Sequence, residues 1–173
     1  FDAGPSENSP PRLLDILKEK KVPATFFLLG ARHIEKYPDL VKRMAAEGHE
    51  VASHTWDHKI LTKISDGQIR EELSRPNEAI ERLTGRRPTL MRPPQGRTDD
   101  TVQKISKEMG MAEVLWSVTA KDYTTNDSAL ITERVLDQVS RDGIILLHDI
   151  YPGTVPAVPP ASSTLSRSAA TAS

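Results

Sequence analysis

The stretch Glu50-Val51-Ala52-Ser53-His54-Thr55-Trp56-Asp57-His58 joins a strand signal to a pair of histidines. Residues 50–53 are typical of a short strand, and the histidines follow where that strand ends. His54 and His58 are four residues apart, so both imidazoles face one side of a helix or tight turn and can reach a single metal ion. A catalytic zinc commonly takes two such imidazoles and one further protein ligand, and keeps a position open for water. The pair therefore indicates a metal site, although this spacing also occurs without a metal.

Strand and helix signals alternate on both sides of this stretch, with short loops between them. The predicted strands lie at about residues 24–29, 50–53, 89–91, 113–118 and 144–148. The predicted helices lie at about 13–21, 38–46, 65–83, 101–109 and 128–140. Pro76 falls inside the third helix and predicts a kink or a division near Arg75. The alternation indicates an α/β domain with a parallel sheet, either open or closed into a barrel.

Composition narrows the possible functions. The 173 residues suffice for one domain with a real core, and the net charge of −1 argues against a nucleic-acid partner. Because the chain has no cysteine, thiolate metal sites, cysteine nucleophiles and disulfides are excluded. No apolar run approaches the length of a membrane span, and no export signal is visible. The chain opens at Phe1 inside what resembles a site, so we expect that an upstream segment is missing.

Ionisable residues recur where the predicted strands end. Each has an ordinary explanation when taken singly: a turn aspartate, a surface arginine, a solvated loop aspartate or a core histidine. If the sheet is parallel, however, all of them converge on the rim where α/β enzymes assemble their sites. These residues are Asp2, His54, His58, Arg92, Asp122 and His148.

The character of the chain changes after residue 150. Four prolines precede a segment made mostly of Ser, Ala and Thr, without apolar periodicity. We therefore predict a domain over residues 1–150, followed by an atypical, poorly ordered tail over residues 151–173. The change is abrupt enough to suggest a truncated, frameshifted or altered copy.

Five short motifs, in order, resemble those of the polysaccharide deacetylases with a NodB homology domain, carbohydrate esterase family 4. They are Phe1-Asp2-Ala3-Gly4-Pro5, His54-Thr55-Trp56-Asp57-His58, Arg92-Pro93-Pro94-Gln95-Gly96, Lys121-Asp122-Tyr123 and Leu146-Leu147-His148. The resemblance implies a distorted (β/α) barrel of the NodB type, apparently lacking its first strand residues and its last helix and strand. It also implies hydrolysis of N-acetyl groups on peptidoglycan or a chitin-like glycan, by a secreted or cell-surface protein that acts as a monomer.

The resemblance also implies a role for each matching residue. His54 and His58 would hold a divalent metal, Zn²⁺ first and Co²⁺ or Ni²⁺ as alternatives. Asp2 would be the general base that takes a proton from water, and Arg92 would hold its carboxylate.

The resemblance implies that the other matching residues act on the leaving group or bind the substrate. His148 would be the general acid that protonates the leaving amine, and Asp122 would orient it. The backbone N–H of Gln95 would face the tetrahedral oxyanion. Tyr123 and Leu146 would line the acetyl pocket or groove.

One departure from the family pattern matters for the chemistry. Ala3 stands where the family has an aspartate that ligates the metal, so waters, Asp2 or Asp57 would have to complete the site, and we expect weaker metal affinity. Tyr123 stands for a Trp and Gln95 for a Tyr, which we expect to alter substrate fit more than chemistry. Two alternatives stay open: an O-acetyl esterase of acetylated xylan, and a catalytically silent glycan-binding domain.

Overall fold

The protein, in its computed structural model, is described over residues 1–2 and 10–171. The predicted alternation of strands and helices is confirmed in the α/β architecture. The elements in chain order are α1 (Pro10–Lys20), β1 (Thr25–Leu28), α2 (Pro38–Ala46), β2 (Glu50–Ser53), α3 (Asp66–Thr84), β3 (Leu90–Met91), α4 (Asp100–Glu108), β4 (Ala112–Glu113), β5 (Val118–Thr119), α5 (Ser128–Gln138), β6 (Ile145–Leu146) and α6 (Thr154–Thr171).

All strand pairs are parallel. One sheet has the order β1-β2-β3-β4 and the other pairs β5 with β6. Asp2 joins the two sheets, because it forms parallel bridges with Phe27 on one side and His148 on the other. The result is a strongly curved parallel arrangement, consistent with a distorted barrel.

The single strand predicted at 113–118 is instead two short strands, β4 and β5, in different sheets. The carbonyl oxygens of Val114 and Leu115 turn toward the guanidinium of Arg92 instead of a neighbouring strand. The chain therefore leaves the first sheet at Val114 and joins the second at Val118. An arginine about twenty positions earlier sets this break, which no local pattern reveals.

The strand predicted at 144–148 is also shorter, since β6 covers only Ile145–Leu146. We expected an apolar strand buried on both faces, but Ile144 is 46% exposed. Residues 147 and 148 lie beyond the regular pairing, at the rim of the barrel.

Pro76 does not divide the third helix. α3 runs unbroken from a capping box at Ser65 and Gln68 to Gly85, which ends it in the left-handed conformation with φ of 74°. Proline inside a helix costs roughly 3 kcal/mol, but Pro76 is itself buried, and Leu73 and Ile80 pack into the core on either side of it. Packing of the helix face therefore offsets the lost hydrogen bond.

The segment after residue 150 differs from the predicted tail. Thr154–Thr171 form α6, and its first turns bury Val155, Ala157 and Val158 against the domain. A helix therefore follows β6, although the prolines and the few apolar residues of this segment predicted otherwise. Tertiary contacts outweigh the weak helix propensity of this segment.

The apolar residues form cores on the outer faces of the sheets. One core gathers the apolar faces of α1 and α2 on β1 and β2, and a second lies under α3 and α4. A cavity of about 730 Å³, lined by Phe1, Phe27, Ile145 and Leu147, separates β1 from β6. No helix among residues 10–171 combines the length and the apolar character needed to cross a bilayer.

Candidate active site

The ionisable residues predicted at the strand ends meet on one rim of the barrel. His54 directly follows β2, Arg92 directly follows β3, and His148 lies two residues beyond β6. Asp2 sits between them, bridged to the strand that carries Phe27 and to His148. Asp122 begins a short 3₁₀ turn three residues after β5. The parallel sheet therefore places these side chains at the end where α/β proteins bind their ligands.

Asp2 and Arg92 form a buried ion pair. Their side chains are 4% and 2% exposed, and Nη1 of Arg92 donates to Oδ1 of Asp2 at 2.6 Å. Nε and Nη2 of the same guanidinium donate to the carbonyls of Val114 and Leu115 at 2.9 and 3.1 Å, and the group lies 4.2 Å above the ring of Phe27. Because the guanidinium is fixed on several sides, it holds one oxygen of Asp2 in place.

His54 is arranged as a neutral ligand. Its Nδ1 lies 2.7 Å from the carbonyl oxygen of Arg92. Since a carbonyl oxygen can only accept, Nδ1 carries the proton and Nε2 keeps its lone pair. Nε2 lies 3.9 Å from Oδ2 of Asp2, the oxygen that Arg92 leaves free. Burial lowers the pKa of His54 to about 4, so the ring stays neutral at pH 7.

His58 faces His54 across a tight turn. The two ring centroids are 5.0 Å apart, at an angle of 70°. The turn uses left-handed backbone at two non-glycine residues, with φ of 74° at Thr55 and 59° at His58. The hydroxyl of Thr55 accepts from the backbone N–H of His58 at 3.2 Å. Burial also lowers the pKa of His58, which favours its neutral, ligating form.

These donors fit a divalent ion that accepts imidazole nitrogen, but they are few. Within residues 1–2 and 10–171, no three His, Cys, Asp or Glu side chains are arranged to hold a metal ion. The available set is the two neutral imidazoles with one carboxylate oxygen of Asp2 nearby. Asp57 is exposed. Ala3, where the resemblance places a further ligand, lies outside the described residues.

His148 has a different partner. Its Nδ1 lies 2.9 Å from Oδ1 of Asp122, and its backbone N–H donates to Oδ2 of the same carboxylate at 2.6 Å. The hydroxyl of Thr154, the first residue of α6, donates to Oδ2 at 2.8 Å. Burial raises the pKa of Asp122, but the hydrogen bonds from His148 and Thr154 outweigh it, so the net shift is downward. An ionised carboxylate therefore lies beside the imidazole of His148.

The residues predicted to bind substrate surround this pair unevenly. The ring of Tyr123 stands edge-on to His148 at 6.0 Å between centroids and is 54% exposed, and the ring of Tyr151 is also edge-on to His148, at 5.7 Å. Gln95 is exposed in the turn after Arg92, with left-handed φ of 57°. Leu146 is only 5% exposed, so it backs the site more than it lines an open groove.

Sequence reasoning missed three buried polar residues near the site. Thr154 was placed in the predicted tail, and Asp149 was not distinguished from its neighbour His148. The sequence pattern does not single out Glu72, which is 4% exposed. Its position three residues after Ile69 places it on the buried face of α3, and that spacing was the available signal.

Comparison with known proteins identifies the class. The family model of polysaccharide deacetylases matches residues 1–114. The chain therefore belongs to the polysaccharide deacetylase family, in agreement with the five motifs.

Individual proteins of this family are similar to the chain over most of its length. The peptidoglycan-N-acetylglucosamine deacetylase PgdA of Listeria monocytogenes is 40% identical over 154 residues, which are 89% of this chain and 32% of the relative. The structure of the peptidoglycan deacetylase PdaC from Bacillus subtilis is 36% identical with a TM-score of 0.89, over 97% of this chain and 81% of that one. A protein from Bacillus anthracis described as a CE4 family pseudoenzyme, BA3943, is 27% identical with a TM-score of 0.91, over 97% of this chain and 59% of that one. This chain spans about a third of the length of PgdA.

Proposed function

We propose that this chain removes N-acetyl groups from an N-acetylglucosamine-containing polysaccharide, peptidoglycan or a chitin-like glycan, with the help of a bound divalent metal. One observation carries the proposal: two differently arranged histidine sites share one rim, with Asp2 between them. The Nδ1 of His54 meets a carbonyl, whereas the Nδ1 of His148 meets a carboxylate. PgdA and PdaC, both named as peptidoglycan deacetylases, support the substrate class.

His54 and His58 are the residues that would hold the metal, Zn²⁺ first and Co²⁺ or Ni²⁺ as alternatives. Both rings are kept neutral by burial, which metal ligation requires. When bound, such an ion polarises the acetyl carbonyl and lowers the pKa of water.

Asp2 is suited to take the proton of the attacking water. Arg92 occupies Oδ1, so Oδ2 is the oxygen that faces His54 and remains available. A carboxylate that is held through one oxygen and keeps the other available can act as a general base. Because both side chains are buried, the carboxylate keeps one orientation throughout the reaction.

His148 is suited to deliver a proton to the leaving nitrogen. Water adds to the acetyl carbon, the carbon–nitrogen bond breaks, and the electron pair of that bond stays on nitrogen, which takes the proton from His148. Acetate and a free amine are the products. Asp122 holds the ring by Nδ1, so Nε2 is the nitrogen directed away from Asp122, and its carboxylate stabilises the protonated ring. The proton that Asp2 took from water replaces the one that His148 donated, and the acetic acid that forms gives its own proton to the solvent to become acetate.

Residues on the same side would recognise the sugar. The exposed ring of Tyr123 offers an amphipathic face, and we propose that Leu146, two residues before His148, lines the acetyl pocket or groove. The left-handed backbone at Gln95 turns the chain directly after Arg92, and we propose that its N–H stabilises the oxyanion. We further propose that the protein works as a monomer on glycans at the cell surface or outside the cell.

The test is acetate release by metal-stripped protein, titrated with Zn²⁺, Co²⁺ and Ni²⁺, on chitooligosaccharide and on acetylxylan in parallel. We expect metal-dependent release from chitooligosaccharide that is lost in Asp2→Asn. Release from acetylxylan alone would replace the proposal with the O-acetyl esterase. No release by folded protein with any metal would overturn the enzymatic proposal.

A silent glycan-binding domain is the second candidate. It is favoured by Ala3, which cannot coordinate a metal, and by the likeness to BA3943, described as a pseudoenzyme. This candidate predicts that chitooligosaccharide binds in calorimetry while acetate release stays at the level of the buffer. If the wild type is silent, Ala3→Asp, which supplies the carboxylate, should release acetate. If the wild type is active, it should release acetate without this substitution.

A further inference from the structure

Glu72 lies beneath the turn that carries His58. It belongs to α3, and its carboxylate reaches both neighbours of that histidine. Oε2 accepts from the backbone N–H of Asp57 at 2.9 Å, and Oε1 lies 3.3 Å from Nζ of Lys59. The residues on either side of His58 are thus tied to one buried side chain.

A buried carboxylate on the core-facing side of a helix needs a reason. Glu72 follows the apolar spacing of α3, and its side chain is only 5% exposed. Burying a charge is costly unless it is paired and hydrogen-bonded. The carboxylate meets both conditions here, and both partners belong to the turn at residues 57–59. An apolar residue at this position would fill the space but could not hold that turn.

The turn itself needs to be held. Left-handed backbone at Thr55 and His58 costs of order 1 kcal/mol or more each, and such residues persist only where their surroundings fix them. This strain puts the ring of His58 opposite His54, at 5.0 Å between centroids.

The first half of the turn is fixed from another side. The backbone N–H groups of Gly30 and Ala31 donate to the carbonyls of Thr55 and Trp56 at 3.1 and 3.0 Å. The ring of Trp56 fills the space that a side chain at Gly30 would need, and the guanidinium of Arg75 lies 4.0 Å from the ring centroid. Glu72 fixes the second half of the turn, which contains His58, through its contacts with Asp57 and Lys59.

We propose that Glu72 is a positioning residue for the metal site: it fixes the turn at residues 57–59 so that His58 presents its ring beside His54. The assignment to a metal rests on the proposed function, whereas the hold on the turn does not. Groups that orient metal ligands typically change metal affinity by roughly 10–100-fold when they are removed.

Three substitutions separate this role from a general contribution to packing. Glu72→Met keeps the length of the side chain but removes both acceptors. Glu72→Gln keeps an acceptor for the N–H of Asp57 and loses the charge that faces Lys59. Glu78→Gln is the matched control, because Glu78 is an exposed glutamate six residues after Glu72 on the same helix.

Two measurements are made on each folded variant. Hydrogen exchange of the amides of residues 57 and 58 is followed in metal-free protein, and the Kd for Zn²⁺ is measured by calorimetry. We expect Glu72→Met to speed exchange at these amides and to raise the Kd roughly 10–100-fold, with Glu72→Gln much nearer to wild type and Glu78→Gln unchanged.

Unchanged amide exchange in Glu72→Met would overturn the positioning role, whatever the metal result. Faster exchange with an unchanged Kd would overturn the link to the metal site. If wild-type protein binds no Zn²⁺, Co²⁺ or Ni²⁺, the proposed function fails, and with it the metal assignment, while the exchange data still decide whether Glu72 holds the turn. If Glu72→Met does not fold, the wild-type protein decides: slow exchange of the Asp57 amide would support the hold by Glu72, and exchange as fast as that of an unprotected amide would overturn it.

Discussion

His54 and His148 lie on the same rim and both use Nδ1 in a hydrogen bond, yet their surroundings suit them to opposite tasks. His54 donates to a backbone carbonyl, which fixes a neutral ring with a free lone pair on Nε2. The Nδ1 of His148 instead lies 2.9 Å from the carboxylate of Asp122, which holds the ring with Nε2 directed away from that carboxylate. The partner of Nδ1, more than the histidine itself, decides between ligand and acid.

Access to solvent follows the same division. The side chain of His54 is 4% exposed, whereas that of His148 is 21% exposed and lies beside the open ring of Tyr123. Burial lowers the pKa of His54 to about 4, so protons do not compete with a metal at pH 7. Burial suits a metal ligand such as His54, because it keeps the ring neutral. A proton donor such as His148 must instead be accessible to the substrate.

The largest effect is expected from Asp122→Asn, which changes the surroundings of His148 and leaves those of His54 unchanged. The amide keeps the shape but loses the charge that stabilises protonated His148, so kcat for acetate release should fall by roughly 10²–10⁴-fold. The Kd for Zn²⁺ should stay at its wild-type value, because His54 and His58 are untouched. A variant with weakened Zn²⁺ binding and normal kcat would show that the two sites are not separate.

Asp149 contrasts with Asp122, and it gives the second prediction. Asp149 is fully buried, and neither of its carboxylate oxygens has a hydrogen-bond partner in the described part of the chain. Burial raises its pKa to about 6, from an ordinary 3.8. The folded state therefore binds more protons than the unfolded state between these values, and stability declines as the pH rises through this window.

Asp149→Asn should remove that penalty. We expect its free energy of unfolding at pH 8 to exceed that of wild type by about 3 kcal/mol, since the charge is lost while the shape is kept. The advantage should shrink toward zero near pH 4, where Asp149 is protonated in the folded state. Urea denaturation at the two pH values measures it; an equal difference at both would mean that the buried charge is not the cause.

The smallest effect is expected from Thr154→Val. This change removes the hydroxyl that donates to Oδ2 of Asp122 but leaves both contacts from His148. A hydrogen bond to a charged group is worth about 1.5–3 kcal/mol, and the remaining contacts should limit the loss of stability to about 1.5 kcal/mol. Thr154→Ser, which keeps the hydroxyl, is the control and should recover most of this. A loss in Thr154→Ser as large as that in Thr154→Val would mean that the hydroxyl is not the main contribution of Thr154 to stability.

The sequence predicted this site well where chemistry follows a strand end directly. His54, Arg92 and His148 each come within two residues of a strand, so a parallel sheet brings them together without further information. The two histidines four residues apart also face each other, although the strained turn between them left no mark in the pattern.

What the sequence did not predict depends on contacts between distant segments. Glu72 reads as a charged helix residue until α3 is packed under the histidine turn. Thr154 reads as part of a proline-rich tail until α6 docks and its hydroxyl meets Asp122. The break between β4 and β5 needs the side chain of Arg92. Helix and strand propensities depend on the local sequence and give no information about these distant contacts.

The division of labour between the histidines can be tested most directly by recording the imidazole ¹⁵N resonances during a Zn²⁺ titration at pH 7. We predict that the Nε2 signal of His54 and a ring-nitrogen signal of His58 shift on binding, while the Nδ1 signal of His54 keeps the value of a protonated nitrogen. His148 should keep its own resonances and respond to Asp122→Asn instead. A Zn²⁺-dependent shift at His148, or none at His54, would contradict the account.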